Sequence, residues 1–464
     1  MSDHKSFVLM RRDEPVMTFS AYKYHFDEIT SVITPELMPI GAGRSGKTFE
    51  KWWDARIIPY RRIKFLESLP VSGISNPNEL VFLTHGLSLL NQYWIREENE
   101  DLKWKEINLF ENDFSEFIGK ALFNRRSFSS EDFPPLYRFS PEGMSPGDQT
   151  KRWHINDNNE RVLIKTDNKG EKCVNELLAS SFAEQIGLPY TDYILGIEDG
   201  KFICSSKCFT SENTEIIHAM DLLYEFGLPE IYKKTDYYYN YVIDLFEKMG
   251  VQNVREFIDK MLSIDYVMCQ TDRHYNNFGI LRNIDTEACI MAPLYDSGDA
   301  CRNADLTQFM DVNSDVLGKP FGPNGQVYQN EQFTNVKSRL FIDEETVNKV
   351  VPSYIDNLNR IGVSEERQSK LVSSLLSRTE KMKGIFQIDV DVTPVGDEIP
   401  DVYYNGYKAT VYENEIVIYG TDDAEIKSIT EPDIVDSINS EADLQDYLED
   451  YVDKLSRDYD DRSL

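Results

Sequence analysis

The sequence predicts an α+β fold in which a small β-rich lobe is followed by a helical lobe. β-Prone runs flank one amphipathic helix between residues 152 and 206, and apolar residues recur at helical spacing from 212 to 268. Helical patterns return from about 344 to 382. Strands that come first and helices that follow are typical of folds in which the two kinds of element are segregated. We therefore expect two lobes joined near residue 211.

The first lobe and the region before it contain the predicted strands. Ser6–Met10 and Val16–Ser20 read as a hairpin with a polar turn, whereas residues 21–125 are mixed and rich in tryptophan. Short strands are predicted at Arg152–Ile155 and Arg161–Lys165. The helix that follows them has a single apolar face. Its members are Val174, Leu177, Leu178, Phe182 and Ile186.

That helix has a clear stop signal in Gly187 and Pro189. Two further strands are predicted at Tyr193–Gly196 and Phe202–Ser206, with the turn Glu198–Gly200 between them. The second lobe is predicted to be helical from 212 to 268, then to form a short hairpin of Phe278–Leu281 with Ala288–Ala292. Residues 301–340 are polar and rich in glycine, as in a long loop.

Four parts are predicted along the 464 residues. They are an N-terminal subdomain (1–125), the β-rich lobe (126–211), the helical lobe (212–384) and an acidic C-terminal extension (385–464). In the extension, Ala409–Glu413 and Glu415–Tyr419 are predicted to pair as a hairpin, and residues 441–457 to form an acidic helix.

The net charge of −31 is concentrated in this extension, which has 22 acidic and five basic residues. A strongly acidic protein repels nucleic-acid phosphates and anionic lipid, so neither direct nucleic-acid contact nor a membrane role is expected. The six cysteines form no paired CxxC motif, and no stretch has the length of a signal peptide core or a membrane span. We expect a cytoplasmic protein whose extension could dock a basic partner.

The chemistry is predicted from Asp272, Asn277 and Asp296. Phosphoryl transfer needs a carboxylate to hold the incoming hydroxyl in line, and carboxylate or amide oxygens to hold Mg²⁺ against the phosphates. Asp272 and Asn277 have the D-x4-N spacing of a kinase catalytic loop. Asp296 follows the predicted hairpin and, like a kinase metal-binding aspartate, precedes a glycine after one residue. The set predicts Asp272 as the catalytic residue and the other two as metal ligands.

The nucleotide is expected to meet Lys165, which ends the apolar strand Val162–Lys165 in the manner of a V-A-I-K strand. Glu176 lies eleven residues later on the first helix, where an ion pair with Lys165 would aim the ammonium group at the α- and β-phosphates. An isolated match of this kind is more commonly a surface lysine on an edge strand.

Two further segments complete the predicted nucleotide site. Ser145–Lys151 is a candidate phosphate-covering loop that includes Ser145 and Gly147, although it lacks the G-x-G-x-x-G pattern. Lys207, Cys208 and Phe209 end a strand between the lobes, where a hinge contacting adenine would lie.

The segment D-R-H-Y-N-N-F-G-I-L from Asp272, followed by A-P-L-Y-D ending at Asp296, resembles the HipA-like serine/threonine kinase family. The run N-E-L-L-A-S-S-F-A-E-Q-I-G-L-P from Asn175 resembles that family's first helix, and motifs around Trp52 and Leu87 resemble its N-terminal region. The resemblance covers about residues 6–384. It implies a two-lobed kinase-like fold, Asp272 as base, and Asn277 and Asp296 as Mg²⁺ ligands, with Lys165 on the phosphates of ATP.

The same resemblance bears on regulation and partners. It implies that a loop serine can be autophosphorylated. Ser145 is the nearest candidate, in a loop that departs from the family's S-x-x-G-x-Q-x-K form. Relatives act as toxins or sit beside an antitoxin, so an antitoxin or other regulatory partner is expected together with a protein substrate that the sequence does not identify. A toxin or a stress or defence kinase is the corresponding biological role.

Two alternatives remain at this point. The first is a kinase fold kept as a catalytically silent binding or signalling module. The second is a P-loop NTPase, because Gly41–Thr48 matches G-x-x-x-x-G-K-T. A phosphate-binding P-loop follows a buried strand, whereas residues 34–40 contain two prolines. A glycine-rich surface loop bearing a lysine is the more ordinary interpretation of this segment.

Overall fold

The structure is a computed structural model of the chain, which divides into two compact units, Met1–Phe386 and Gln387–Leu464. The predicted division into four parts stays a prediction. The structure describes residues 4–67, 76–124, 139–229, 234–322, 325–391, 402–404, 407–412, 415–419, 425–429, 444 and 447–448.

The first unit begins with an antiparallel sheet whose strand order is β3-β2-β1-β4. The predicted hairpin at residues 6–20 is confirmed as its first two strands, in which Phe7 pairs with Phe19. Two strands of this sheet lie in the stretch for which the sequence predicted only mixed structure. The strands are β1 (His4–Arg11), β2 (Glu14–Tyr22), β3 (His25–Val32) and β4 (Tyr93–Glu97).

Short helices lie along the chain between β3 and β4 and after β4, and aromatic side chains fill the space between the sheet and the helices α1 and α3 because their large apolar surface gains most from burial. Phe19, Phe49, Trp53 and Phe82 are buried in one cluster. The helices are α1 (Gly46–Asp54), α2 (Tyr60–Glu67), α3 (Pro77–Leu83), α4 (Trp104–Ile107) and α5 (Phe117–Asn124).

The β-rich lobe is a second antiparallel sheet, ordered β5-β6-β8-β7, with one helix, α6 (Glu171–Ile186). Gly170 and Gly187 flank this helix at φ values of 80° and 65°, a backbone region that glycine adopts without strain. The predicted strands and helix are therefore confirmed. The strands are β5 (Lys151–Ile155), β6 (Arg161–Thr166), β7 (Tyr193–Glu198) and β8 (Lys201–Lys207).

The start of the second lobe departs from the prediction. Residues 214–218 form strand β9 (Thr214–His218), which was predicted to be helical. β9 pairs antiparallel with β10 (Gly279–Asn283), and β10 pairs with β11 (Cys289–Met291) as the sequence predicted. The partner of β9 is more than 60 residues away, so no local pattern could indicate the strand, and its Ile216-Ile217 pair also suits a buried helix.

The rest of this lobe is helical around the largest apolar cluster of the described residues, which also receives α6. The segment predicted as a long loop contains one small hairpin and a short helix. The elements are α7 (Ala219–Phe226), α8 (Thr235–Lys248), α9 (Val254–Val267), β12 (Leu317–Gly318), β13 (Val327–Tyr328), α10 (Gln329–Phe333), α11 (Glu344–Arg360) and α12 (Glu365–Asp391).

The second unit contains an antiparallel sheet of four strands in sequence order. Its central pair confirms the predicted hairpin, whereas the predicted acidic helix at 441–457 lies almost wholly outside the described residues. Among the helices that the structure describes, none combines the length and the apolar character that crossing a membrane requires. The strands are β14 (Val402–Tyr404), β15 (Tyr407–Tyr412), β16 (Glu415–Tyr419) and β17 (Glu425–Ile429).

Candidate active site

A cavity of about 570 Å³ lies between the β-rich and helical lobes of the first unit. Its size suits a small organic ligand, which binding sites of a few hundred Å³ enclose. Nine of the ten predicted site residues line it, and the tenth, Glu176, lies directly behind Lys165. The nine are Ser145, Gly147, Lys165, Lys207, Cys208, Phe209, Asp272, Asn277 and Asp296.

Lys165 links the two lobes at the back of this cavity. Its ammonium group donates to Glu176 Oε1 and to Asp296 Oδ1, each at 2.7 Å. Glu176 is fully buried and its second oxygen accepts from the Ser297 backbone N–H at 2.7 Å. β6 and α6 thus hold the lysine, and the carboxyl of Glu176 also fixes the backbone next to Asp296. The interpretation of Lys165 as a surface lysine does not fit this geometry.

The charges of this cluster support one another. Burial alone would raise the pKa of Asp296, but Lys165, Lys151 and Arg273 outweigh burial and the pKa is lowered. Burial acts against the charged form of Lys165, yet Asp296 and Glu176 raise its pKa well above the usual value. Both groups are therefore charged over the physiological range, and the carboxylate of Asp296 is available as a ligand for a cation.

The loop of Asp272 folds around its own backbone. Asn277 Nδ2 donates to the Asp272 carbonyl at 2.7 Å, and the Asn277 N–H donates to the His274 carbonyl at 2.8 Å. Because the Asn277 amide nitrogen makes this hydrogen bond, the amide oxygen points to the opposite side and is available to a ligand. His274 Nδ1 accepts from the Asn276 N–H at 3.2 Å, and burial lowers its pKa. His274 is thus a neutral ring that shapes the loop.

Arg273, between Asp272 and His274, is buried completely and anchors the loop. It donates to both oxygens of Asp265 on α9 at 2.9–3.3 Å. It also donates to the carbonyls of Asn277 and Tyr295, at 3.0 and 2.5 Å, so that one guanidinium group joins both loops that carry predicted site residues. The arginine of the D-R-H order therefore has a structural task that the sequence did not indicate.

Two backbone positions of these loops have special requirements. Gly279 lies so close to β9 that a Cβ atom would meet the Ile217 carbonyl oxygen at 2.2 Å, which backbone atoms cannot relieve by a side-chain movement. Asp296 has a φ of 58°, a region that aspartate tolerates better than most residues. Strained residues of this kind are concentrated at functional sites, where the surrounding contacts hold them.

The loop 145–151 covers the cavity and is held by α2. Arg62 donates to the carbonyls of Ser145, Gly147 and Lys151, at 2.5, 3.3 and 3.0 Å. Burial lowers the pKa of Arg62 to about 10, while nearby acidic groups oppose the shift. The neighbouring Arg61 pairs with Asp148. Ser145 is only 3% exposed, so this conformation shields its hydroxyl.

Lys151 is a second lysine of the cavity, one that the sequence predicted only as the end of the loop. Burial lowers its pKa to about 8, with Arg62 and Lys165 adding to the effect and Asp296 opposing it. A Cβ atom on Gly147 would lie 2.9 Å from the Lys151 ammonium group, so glycine leaves room for it. The position of Lys151 at the end of the G-x-Q-x-K stretch is the sequence signal that could have identified it as a site residue.

The predicted hinge forms another wall. The Cys208 N–H donates to the Arg161 carbonyl at 2.8 Å, and Phe209 packs against Tyr295 with ring centres 5.4 Å apart. Lys207 is largely exposed and pairs with Glu160, so its side chain leads away from the cavity. Trp153, Leu163 and Ile216 add apolar surface to this part of the cavity.

Arg56 brings the N-terminal region into the cavity wall, which sequence reasoning missed. It follows α1, stacks on Trp52 at 4.2 Å and donates to Asp221 at 2.9 Å. His218 and Tyr295 are also missed lining residues. They hydrogen-bond at 2.9 Å, and burial lowers the pKa of His218 to about 4, which keeps its ring neutral. Arg56 and Tyr295 lie in motifs that carry the family resemblance, but the sequence predicted no role for them or for His218 at the cavity, because the three converge only through tertiary packing.

The rival motif Gly41–Thr48 contributes no residue to this cavity. A 3-10 turn at Pro35–Leu37 precedes it, in place of a buried strand. Ser45 and Thr48 cap α1 through reciprocal hydrogen bonds, so the threonine hydroxyl is engaged. This geometry is that of a capped helix start, and it lacks the strand that a P-loop requires.

The donor set of the cavity fits Mg²⁺. Asp296 offers a carboxylate and Asn277 an amide oxygen, and Mg²⁺ commonly takes one or two protein oxygens and completes its shell with phosphates and water. Among the described residues, no group of three or more histidine, cysteine or acidic side chains is arranged to hold a metal. A sparse site that depends on the nucleotide is therefore the kind that these residues can form.

Two lobes, a lysine–glutamate pair and an aspartate at their junction define a kinase-like protein. Residues 139–359 match the family model of the HipA-like C-terminal domain. This match confirms the predicted resemblance to the HipA-like family over that region, together with the kinase-like α+β fold. No curated protein matches the chain.

Several solved structures resemble the chain, including the following three. The Helicobacter pylori proinflammatory kinase CtkA is 20% identical, with 52% of this chain and 94% of CtkA covered and a TM-score of 0.41. HipA of Shewanella oneidensis MR-1, solved with HipB and operator DNA, is 13% identical, with 83% and 100% covered and a TM-score of 0.46. A Golgi casein kinase is 9% identical, with 55% and 72% covered and a TM-score of 0.32.

Proposed function

We propose that this protein is an ATP- and Mg²⁺-dependent kinase that phosphorylates serine or threonine residues of proteins. The observation that carries the proposal is the Lys165 ammonium group, held at 2.7 Å by both Glu176 and Asp296 in a cavity that Asp272 and Asn277 also line. This is the constellation that phosphoryl transfer needs, because the protein's task is to position and neutralise charge.

In this proposal the adenine enters between the apolar wall and the hinge at Cys208 and Phe209, and its phosphates extend toward Lys165 and Lys151. Mg²⁺, held by Asp296 and Asn277, would neutralise phosphate charge. Arg62 keeps the covering loop closed over the phosphates. The buried Glu176 keeps Lys165 aimed at the α- and β-phosphates.

The reaction is a single displacement. The acceptor hydroxyl oxygen attacks the γ-phosphorus, the bond to the oxygen that bridges the β- and γ-phosphorus atoms breaks, and ADP leaves with that electron pair. Asp272 takes the hydroxyl proton and holds the oxygen in line. His274 is neutral and turns Nδ1 toward the Asn276 N–H, so the base in this scheme is Asp272.

The test is transfer of labelled γ-phosphate from MgATP. Wild-type protein is expected to label itself or a protein of a cell lysate, while Asp272→Ala abolishes labelling but still binds ATP. Lys349→Met is the control, since Lys349 is an exposed residue of α11 that pairs with Glu345 one helical turn away. The proposal is wrong if wild type labels neither itself nor any lysate protein and behaves as Asp272→Ala does.

The alternatives give different results. A silent binding module would bind ATP without turnover. A P-loop NTPase would lose nucleotide binding in Lys47→Ala and keep it in Lys165→Ala, the opposite of what we expect, since Gly41–Thr48 lies outside the cavity.

Several features stay predictions from the family resemblance and the charge. These are autophosphorylation of Ser145, which requires the loop to open because the residue is buried, and an antitoxin or regulatory partner. The toxin or defence role, the cytoplasmic location and a basic partner for the acidic extension have the same standing. Phosphoproteomics after expression of wild type or Asp272→Ala would identify the substrate.

A further inference from the structure

Asp272 has a partner that no motif indicated. The Lys319 ammonium group donates to Asp272 Oδ1 at 2.7 Å, although 47 residues separate the two in sequence. Lys319 follows β12, in the segment predicted as a long loop, and its side chain is 26% exposed. The pair is therefore half-buried at the mouth of the cavity that Asp272 lines.

The backbone on both sides of Lys319 is fixed. Before it, Leu317 and Gly318 pair with β13, and a Cβ atom on Gly318 would lie 2.8 Å from Gln329. The Lys319 carbonyl accepts from Gln332 Nε2 at 2.9 Å. A lysine on a free loop would lose backbone as well as side-chain entropy on pairing, whereas here the backbone is already ordered and only the side chain has to be fixed.

The next side chain, Phe321, anchors the segment in the core. It is fully buried and packs on the rings of Tyr239, Tyr275 and Phe278, with centres 5.6–6.3 Å apart. Its N–H donates to Gln332 Oε1 at 3.1 Å. The same glutamine thus accepts from the Phe321 N–H and donates to the Lys319 carbonyl, which fixes the backbone from which the Lys319 side chain extends.

The two carboxylate oxygens of Asp272 have different surroundings. Lys319 donates to Oδ1, while Oδ2 lies 3.9 Å from His274 Nε2, which is beyond hydrogen-bond distance. We propose that Lys319 is a positioning residue for the acceptor hydroxyl: it fixes the carboxylate of Asp272 so that Oδ2 faces the hydroxyl. This inference rests on the proposed kinase function and adds Lys319, held between β12 and Phe321, to the catalytic centre.

The segment would then complete the site only when its hairpin and α10 are docked. A catalytic base that depends on a lysine from a separate segment loses its orientation when that segment moves, even though the nucleotide side of the cavity is intact. The expected signature is therefore a loss of turnover without a loss of ATP affinity.

Lys319→Met removes the charge and keeps the length of the side chain. We expect kcat for transfer to the acceptor that wild type labels to fall by about 10- to 100-fold, the size of a lost hydrogen bond between charged groups. The Kd for MgATP and the unfolding midpoint should not change. Lys319→Arg keeps the charge and should recover kcat to within about tenfold of wild type. Lys349→Met is the matched control, because it removes the lysine of a lysine–glutamate pair that lies outside the cavity.

The outcomes separate the inference from the function on which it rests. If wild type transfers phosphate and Lys319→Met has the same kcat, the inference is wrong and the kinase function stands. If Lys319→Met loses ATP affinity or thermal stability in proportion to kcat, the residue is merely structural and the inference is wrong too. If wild type transfers no phosphate to itself or to any lysate protein, both are overturned.

Discussion

Replacing Arg273 with methionine should destabilise the first unit by about 3–5 kcal/mol, the cost of leaving one charge of a buried ion pair without its partner. Arg273 is fully buried, and three of its contacts with the equally buried Asp265 are 2.9–3.3 Å long. The substitution also orphans the carbonyls of Asn277 and Tyr295. Water cannot replace these partners without opening the loop.

The measurement is urea unfolding followed by fluorescence, with the midpoint and the m-value fitted for each variant. Arg360→Met is the control, because Arg360 is an exposed residue at the end of α11, and we expect a change within about 0.5 kcal/mol. The double variant Arg273→Met/Asp265→Leu should recover part of the loss, since it removes the uncompensated carboxylate as well. A loss below about 1 kcal/mol for Arg273→Met would refute the reasoning.

Two further predictions concern the covering loop. The pKa of Lys151 is lowered to about 8, so the free protein loses this ammonium charge as the pH rises through 8. The affinity for MgATP should therefore fall above that pH in the wild type and stay level in Lys151→Arg. Isothermal titration calorimetry between pH 6.5 and 9.5 would measure the difference. Arg62→Met should raise the Kd for MgATP about tenfold, because three loop carbonyls lose their common donor. An unchanged Kd in equilibrium dialysis would exclude a role for Arg62 in holding the loop.

The sequence was sufficient for features that short spacings encode. Lys165 ends a strand and Glu176 follows on a helix whose apolar face has a helical period, so β6 and α6 and the pair between them could be predicted. The hairpin of β10 and β11 has a polar turn between short apolar strands, so it too could be predicted from the sequence. The roles of the site residues stay predictions.

Other features depend on contacts between distant parts of the chain. β9 becomes a strand because β10 pairs with it, and Lys319 reaches Asp272 because Phe321 is buried in the helical core. Arg62 is another example: in sequence it is a basic residue of an amphipathic helix, and its three loop carbonyls lie more than 80 residues away. Long-range pairing overrides local propensity at such positions.

The contacts that Arg61 and Arg62 of α2 make with the loop 145–151 affect which fragments of the protein can be expected to keep the cavity intact. The family match begins at residue 139, yet the donors that close this loop come from Arg61 and Arg62, and Arg56 supplies part of the cavity wall. A fragment trimmed to the matched region would keep every residue with a predicted chemical role and lose the arginines that arrange them. We therefore expect a fragment restricted to the matched region to be too short to keep the cavity arranged, and the compact unit Met1–Phe386 to be the better piece to express.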